Sequence, residues 1–359
     1  MTPTAEKLFG LLRYSIGEQQ ELPDIKDGEW EPVIVMAAEQ ALTGVLYEGV
    51  SRLSKEVTLT EEVKLTWFFQ TEQIVEANKK INMATVKVAK RLRKRGFDCC
   101  ILKGQGNALM YPEPLHRIPG DIDVWMVGDI PTIIAQGKQS DPEATPMYHH
   151  INFAPIGDIP VEVHYRPSFM NNLIHNRRMQ HWFSEQADRQ CAHERELPGG
   201  AGAVPVPTDA FNRIYQMAHI SKHVHQEGVG LRQLLDYYYL LKRGFTPEER
   251  LHDEQQLRRL GLYDVATAVM YVLKEAFGAS EEMLLVPADE RRGRFLLNEI
   301  LLAGNFGHFD QRLANSHSQL SRNVQRLRRD LRFLSYFPSE CLWEPVFRWY
   351  HFFWRLRYR

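Results

Sequence analysis

The sequence of 359 residues has few cysteines, no long apolar run and almost no net charge. Its four cysteines, Cys99, Cys100, Cys191 and Cys341, show no Cys-x-x-Cys spacing. Cys99 and Cys100 sit together in an apolar stretch, as buried thiols do. This usage fits a reducing cytoplasm rather than a disulfide framework, so a cytoplasmic protein is expected. With no stretch of about 18 apolar residues, no spanning helix is predicted. The opening Met-Thr-Pro-Thr-Ala-Glu-Lys lacks the charged-then-apolar pattern of a signal peptide. A net charge of -1 gives no global field toward nucleic acid or membrane, so any such binding must come from a local patch. Internal repeats, low-complexity segments, the P-loop pattern and the full dinucleotide fingerprint are all missing.

What is present is ordinary globular composition, 44% hydrophobic and 25% charged, in a chain long enough for two or three domains. Residues 1–95 read as helical. Apolar residues recur at helical spacing over 30–53, with Val33, Met36, Ala37, Val45, Leu46 and Val50. Residues 61–95 contain no proline, and Trp67, Ile74, Ile81, Val88 and Leu92 form a stripe, so one long amphipathic helix or two abutting ones end at Gly96. The pattern then changes. Cys99-Cys-Ile-Leu102 suits a buried strand, Lys103-Gly-Gln-Gly106 a turn and residues 107–111 a short helix stopped by Pro112 and Pro114. A second strand is expected over 122–127 and another helix over 130–138. Residues 150–165 read as a hairpin turning at Gly157-Asp158. The Pro/Gly-rich stretch 197–207 reads as a connector, and Thr208 or Asp209 caps the helical remainder. The expected fold class is α+β, a small core over 96–207 between an N-terminal helical region, 1–95, and a C-terminal one, 208–359.

The chemistry concentrates in Gly120-Asp-Ile-Asp-Val-Trp-Met126. Strand residues two apart share a face, so Asp121 and Asp123 emerge together while Ile122 and Val124 turn into a core. Adjacent carboxylates repel, and a divalent cation relieves them; oxygen ligands suit Mg²⁺ or Mn²⁺. Glu162 on a later strand offers a third carboxylate. Three such groups on one sheet face can hold two cations about 4 Å apart. A polar turn with two solvated acids is the plainer alternative. In Lys103-Gly-Gln-Gly106, Gly104 and Gly106 allow backbone to approach a phosphate, and Lys103 adds charge. Arg117 is read either as a phosphate partner or as a surface arginine in a Pro-rich loop.

Taken together, Ile101-Leu-Lys-Gly104, Tyr111-Pro, Arg117, Gly120-Asp-Ile-Asp123 and Val161-Glu-Val-His-Tyr165 resemble a family of bacterial nucleotidyltransferases within the polymerase-beta-like superfamily. Flanking segments are similar too: Trp30 with its helix, Ala218-His-Ile-Ser-Lys-His223 and Leu231-Arg-Gln-Leu-Leu-Asp236. The resemblance implies a small mixed-sheet core in which Asp121, Asp123 and Glu162 are catalytic and bind metal. Lys103, Gly104, Gly106 and Arg117 would bind nucleotide. The implied reaction moves a nucleoside monophosphate from a nucleoside triphosphate to an acceptor hydroxyl and releases pyrophosphate. Where that superfamily carries Gly-Ser or Gly-Gly, Gly104-Gln105-Gly106 stands here, so backbone N–H groups replace a serine hydroxyl. Two other readings stay open: a nucleotide-binding module without turnover, and a metal-dependent phosphohydrolase.

His219 and His223 share a helix face, with His225 nearby. They are read as lining the cleft, holding a transition metal or packing a helix. His164 shares a strand face with Glu162 and is read as orienting it, as lining the cleft, or as an ordinary half-buried strand histidine. Arg232 and Asp236, four apart, suggest a surface ion pair. The last 49 residues hold ten arginines interleaved with aromatics. Trp343, Phe347, Tyr350 and Trp354 follow 4-3-4 steps, which predicts a helix docked on the protein itself; nucleic acid, a lipid surface or an acidic partner are the other readings.

Overall fold

The fold is described by a computed structural model at residues 1–26, 28–53, 59–310, 312 and 319–358, with side chains of 319–323 left aside. Helices α1 (Pro3–Ser15), α2 (Trp30–Glu39) and α3 (Thr43–Val50) precede the long α4 (Glu61–Lys94). The helical stretch over 30–53 divides at Ala41, whose φ is +55°. Helix α4 is continuous. Thr60 caps its start, and Gly96 takes φ +83° at its end while the Phe97 N–H bonds the Leu92 carbonyl at 3.1 Å. That six-to-one closure needs a left-handed residue, which only glycine adopts without strain.

Beyond Gly96 come β1 (Cys99–Leu102), α5 (Gly104–Ala108), β2 (Ile122–Met126), α6 (Ile130–Ser140), β3 (His150–Ile156) and β4 (Ile159–His164). The short helix starts at Gly104, three residues before the expected place, and so absorbs the predicted turn. The four strands form one mixed sheet in the order β1-β2-β4-β3, parallel only between β2 and β4. The α+β class is thus as expected.

Helix α7 (Leu173–Ala192) leads to β5 (Glu194–Leu197) and β6 (Gly202–Pro205), which pair antiparallel. The stretch read as a connector is therefore mostly a second, two-stranded sheet. Gly199, Gly200 and Gly202, all at positive φ, turn one strand back on the other. Thr208 caps α8 (Asp209–Gln226), followed by α9 (Leu231–Lys242), α10 (Pro247–Arg259), α11 (Tyr263–Phe277), α12 (Glu290–Ala303), α13 (Gln319–Phe333) and α14 (Pro338–Tyr358). No helix among the described residues is long and apolar enough to cross a membrane.

Two apolar clusters sandwich the main sheet. Ile122, Val124, Met126, Val161 and Val163 point into one, with Ile133 and Ile134 of α6 and Val88 and Leu92 of α4. Trp125 points into the other, where Phe211 stacks on it at 5.9 Å and joins the helices of the C-terminal half. Burying each of these aliphatic side chains stabilises by about 1.5–3 kcal/mol, so slipping β2 by one residue is prohibitive. This fixes which face carries the two aspartates.

Phe347 and Trp354 of α14 are buried in the first cluster, with Phe169 stacked on Phe347 at 5.0 Å. The predicted docking face is narrower than the 4-3-4 pattern, because Trp343 is only half-buried and Tyr350 is exposed. The opposite side of α14 presents Trp349, Phe352 and Phe353 outward.

Candidate functional site

Register assembles the site. Asp123 on β2 lies beside Glu162 on β4, and Trp125 lies beside His164, which in turn pairs with His150 on β3. Cross-strand neighbours share a face about 5 Å apart. Asp123, Glu162, His164 and His150 therefore form a patch drawn from three strands. Asp121 precedes β2 on the same face and lines the adjoining cleft with Asp123.

The patch is tightly bonded. Lys103 Nζ lies 2.8 Å from Asp123 Oδ1, and His164 Nε2 lies 2.7 Å from the same oxygen. Glu162 Oε2 is 3.6 Å from both His164 Nε2 and His150 Nδ1. His150 Nδ1 is 3.0 Å from His149 Nε2, which Lys222 Nζ of α8 approaches at 2.9 Å. Lys103 holds φ +51°, a conformation costly to a residue with a Cβ, and this bend delivers its ammonium to Asp123.

Charges follow from these distances. Burial works against ionised Asp123, but Lys103 and His164 outweigh it and hold the carboxyl below its usual range. For Asp121 the charge on Asp123 and then burial win over the opposing charge of Lys103 and raise it to about 6. Burial opposes charge on Glu162 too, yet His164 and His150 keep it below the ordinary glutamate value. His164, despite burial, is raised by its bonds to Asp123 and Glu162. His150 falls to about 4, mainly through burial. Lys222 drops to about 8 through burial, with Lys103 adding repulsion. Asp123 and Glu162, with His164, are close enough to share an ion, and Asp121 stands apart from that group. Lys103 already places positive charge against Asp123.

Beside the patch opens a narrow cleft lined by Lys103, Gly104, Asn107, Arg117, Asp121, Asp123, His219, Arg232, Asp236 and Phe306 among others. Gly104 lies on this wall, whereas Gly106 turns away: a Cβ there would meet Val206 Cγ1 at 3.3 Å. The expected phosphate approach at Gly106 is thereby replaced by strand packing. Arg117 is no surface residue. It is buried, and its Nε and one terminal nitrogen bond Asp236 at 2.8 and 2.7 Å. Tyr111 and Asn107 complete the Asp236 shell at 2.5 and 3.1 Å. An Arg117 guanidinium committed to Asp236 has little left for a phosphate.

Arg232 and Asp236 do not form the expected surface pair, for both are buried. Arg232 donates to the Ile118 carbonyl at 2.8 Å and lies over the Phe306 ring at 5.5 Å, while its Nε has no hydrogen-bond partner among the described residues. Burial lowers its guanidinium to about 10, leaving it a cation at neutral pH. His219 lines the cleft. His223 instead pairs with Glu227 at 3.2 Å, and His225 bonds the Ser221 carbonyl at 2.7 Å. Among the described residues these three do not gather as a metal set; the side chains close enough to share an ion are His149, His150 and His164, and Asp123, Glu162 and His164.

Sequence reading passed over His149, His150, Lys222 and the phosphate-facing prospects of Arg232. A signal existed for Lys222, which lies three residues after His219 on one helix. The paired histidines 149 and 150 open a strand whose neighbour could not be known in advance.

No curated protein matches this chain. Among solved structures, an antigenic nucleotidyltransferase-like protein from Paracoccidioides brasiliensis matches at 14% identity, with 60% of this chain and 97% of that one covered and a TM-score of 0.38. Residues 26–278, which include all of the main sheet, α8 and α9, match the family described as "Uncharacterised nucleotidyltransferase", and the chain belongs to that nucleotidyltransferase family.

Proposed function

We propose that the chain transfers a nucleoside monophosphate from a nucleoside triphosphate to an acceptor hydroxyl, releasing pyrophosphate. The observation that carries this reading is the pairing of Asp123 with Glu162 across β2 and β4, with Asp121 at the head of the same strand, where it lines the cleft together with Asp123 and Gly104. Asp121, Asp123 and Glu162 would hold Mg²⁺ (or Mn²⁺). When bound, such a cation would supply positive charge to the triphosphate oxygens and to the attacking hydroxyl. Glu162, kept ionised by its histidines, is placed to accept the acceptor's proton, directly or through water. The Gly104 backbone approaches the phosphates without a side chain in the way. Arg232, a cation that lines the cleft, would take the role that Arg117 has given up to Asp236.

Incubation with each labelled nucleoside triphosphate, Mg²⁺ or Mn²⁺ and cell extract tests this. Wild type should label an acceptor and release pyrophosphate, and Asp121→Ala and Asp123→Ala should do neither. Full activity in both variants would sink the assignment. One observation favours a second reading, a nucleotide-binding module without turnover: Lys103 already neutralises Asp123 at 2.8 Å. Under that reading, titration calorimetry with nucleoside triphosphate and Mg²⁺ gives binding, and no acceptor yields pyrophosphate.

A further inference from the structure

The outward side of α14 is left bare by the way its inward side packs. Phe347 stacks on Phe169 at 5.0 Å, and Trp354 is buried. Near the start of the helix, Glu340 accepts from the Asn171 and Asn172 N–H groups at 2.6 and 3.3 Å. With its inner side held at both ends, the helix cannot roll to hide the other. On that other side Leu342, Val346, Trp349, Phe353 and Leu356 follow 4-3-4-3 steps. At 3.6 residues per turn these positions fall within about 80° of arc, with Phe352 just beside them. All six are exposed, Trp349 at 66% and Phe353 at 62%. Trp349 stacks with Phe353 at 6.3 Å and Phe352 meets Phe353 at 5.5 Å, so the rings form one surface cluster. Arginine borders both edges. Arg357 follows Val346 around the helix, and Arg348 and Arg355 lie beyond Phe352. No acidic residue occurs after Glu344.

We propose that this face of α14 lies in the surface of a bilayer that carries anionic lipid. Trp349, Phe352 and Phe353 enter the boundary between headgroups and acyl chains, and Arg348, Arg355 and Arg357 meet the lipid phosphates. The chemistry of the face selects this occupant. A second copy of the chain would suit the heptad-like stripe, but pairing two such faces sets arginine beside arginine along both edges, with no carboxylate after Glu344 to answer them. Nucleic-acid bases would stack on the rings alone, whereas Leu342, Val346 and Leu356 share the face and offer no stacking plane. Hydrocarbon takes up rings and aliphatic side chains alike. Helix α14 is not apolar enough to cross a membrane, so it lies in the plane of the interface. The proposal is independent of nucleotide transfer.

Sedimentation of the full chain with phosphatidylcholine vesicles, with and without about 30% phosphatidylserine, tests this. The chain should bind the anionic vesicles at least about tenfold more tightly than the neutral ones, and salt at about 0.5 M should weaken that binding. W349S/F353S should weaken it about tenfold or more by removing the apolar anchor. R355Q/R357Q should also weaken it about tenfold or more, since each arginine near an anionic surface is worth about fivefold. Circular dichroism and urea unfolding check that both variants keep the native fold, and the comparison of the two vesicle types with wild type needs no variant. Equal binding to both vesicle types, binding to neither, or binding that survives both sets of substitutions in folded protein overturns the proposal. Wild type that ignores anionic vesicles but forms a dimer split by W349S/F353S, or binds single-stranded RNA through the same residues, gives the face to that occupant and likewise overturns it.

Discussion

Replacing Asp121 by asparagine should stabilise the fold while abolishing nucleotide transfer. The carboxyl is half-buried beside Asp123, and its proton affinity rises from 3.8 to about 6, first through the charge on Asp123 and then through burial. A displacement of about two pH units disfavours the ionised form by about 3 kcal/mol relative to the unfolded chain. The sign follows from proton counts. Between pH 4 and 6 the folded state holds more protons than the unfolded one, so stability falls as pH rises through that window and then levels off. At pH 8 in chelator-containing buffer, D121N should unfold at higher urea than wild type, by about 2–3 kcal/mol. At pH 4.5 the gap should shrink to below about 1 kcal/mol. Adding Mg²⁺ should stabilise wild type and leave D121N unmoved. Urea unfolding followed by tryptophan fluorescence reads all three quantities. A variant less stable than wild type at pH 8, or a gap that ignores pH, would refute the reasoning about like charges on this face.

Other perturbations probe separate parts. Arg117→Ala strands Asp236 in the core without its two strongest donors, and should cost about 3–5 kcal/mol in urea unfolding. Asp236 is held below its ordinary value because Arg117 overcomes the burial penalty, so that stability is present above pH 4 and lost on further acidification; the gap between wild type and R117A should narrow there. Lys103→Met removes the cation that lowers both Asp121 and Asp123, and should move the acid limb of the transfer pH profile to higher pH. Phe347→Ala leaves a hole between Phe169 and Tyr148, and should cost about 3–5 kcal/mol while making α14 more sensitive to limited proteolysis.

Strand alternation and a few turn residues were enough to anticipate much of this protein. Asp121 and Asp123 share a face because successive strand residues point oppositely, and Ile122 and Val124 had to enter a core. Gly96 closes α4, Gly157 turns the hairpin and Thr208 starts α8 for reasons carried by those residues alone. Local rules stop where neighbours come from afar. The parallel pairing of β2 with β4 sets Glu162 against Asp123, and no spacing encodes it, because the register depends on how both strands bury their other faces. Arg117 meets Asp236 across 119 residues, so a residue read either as a phosphate partner or as a surface arginine became the centre of a buried network, and Arg232 was left facing the cleft. His150, His149 and Lys222 join the carboxylates only because β3 lies next to β4 and α8 lies across that face. Sequence alone determined which side chains could act together on one strand. Tertiary structure decided which strands and helices met, since that choice belongs to the packing of two apolar clusters rather than to any single segment.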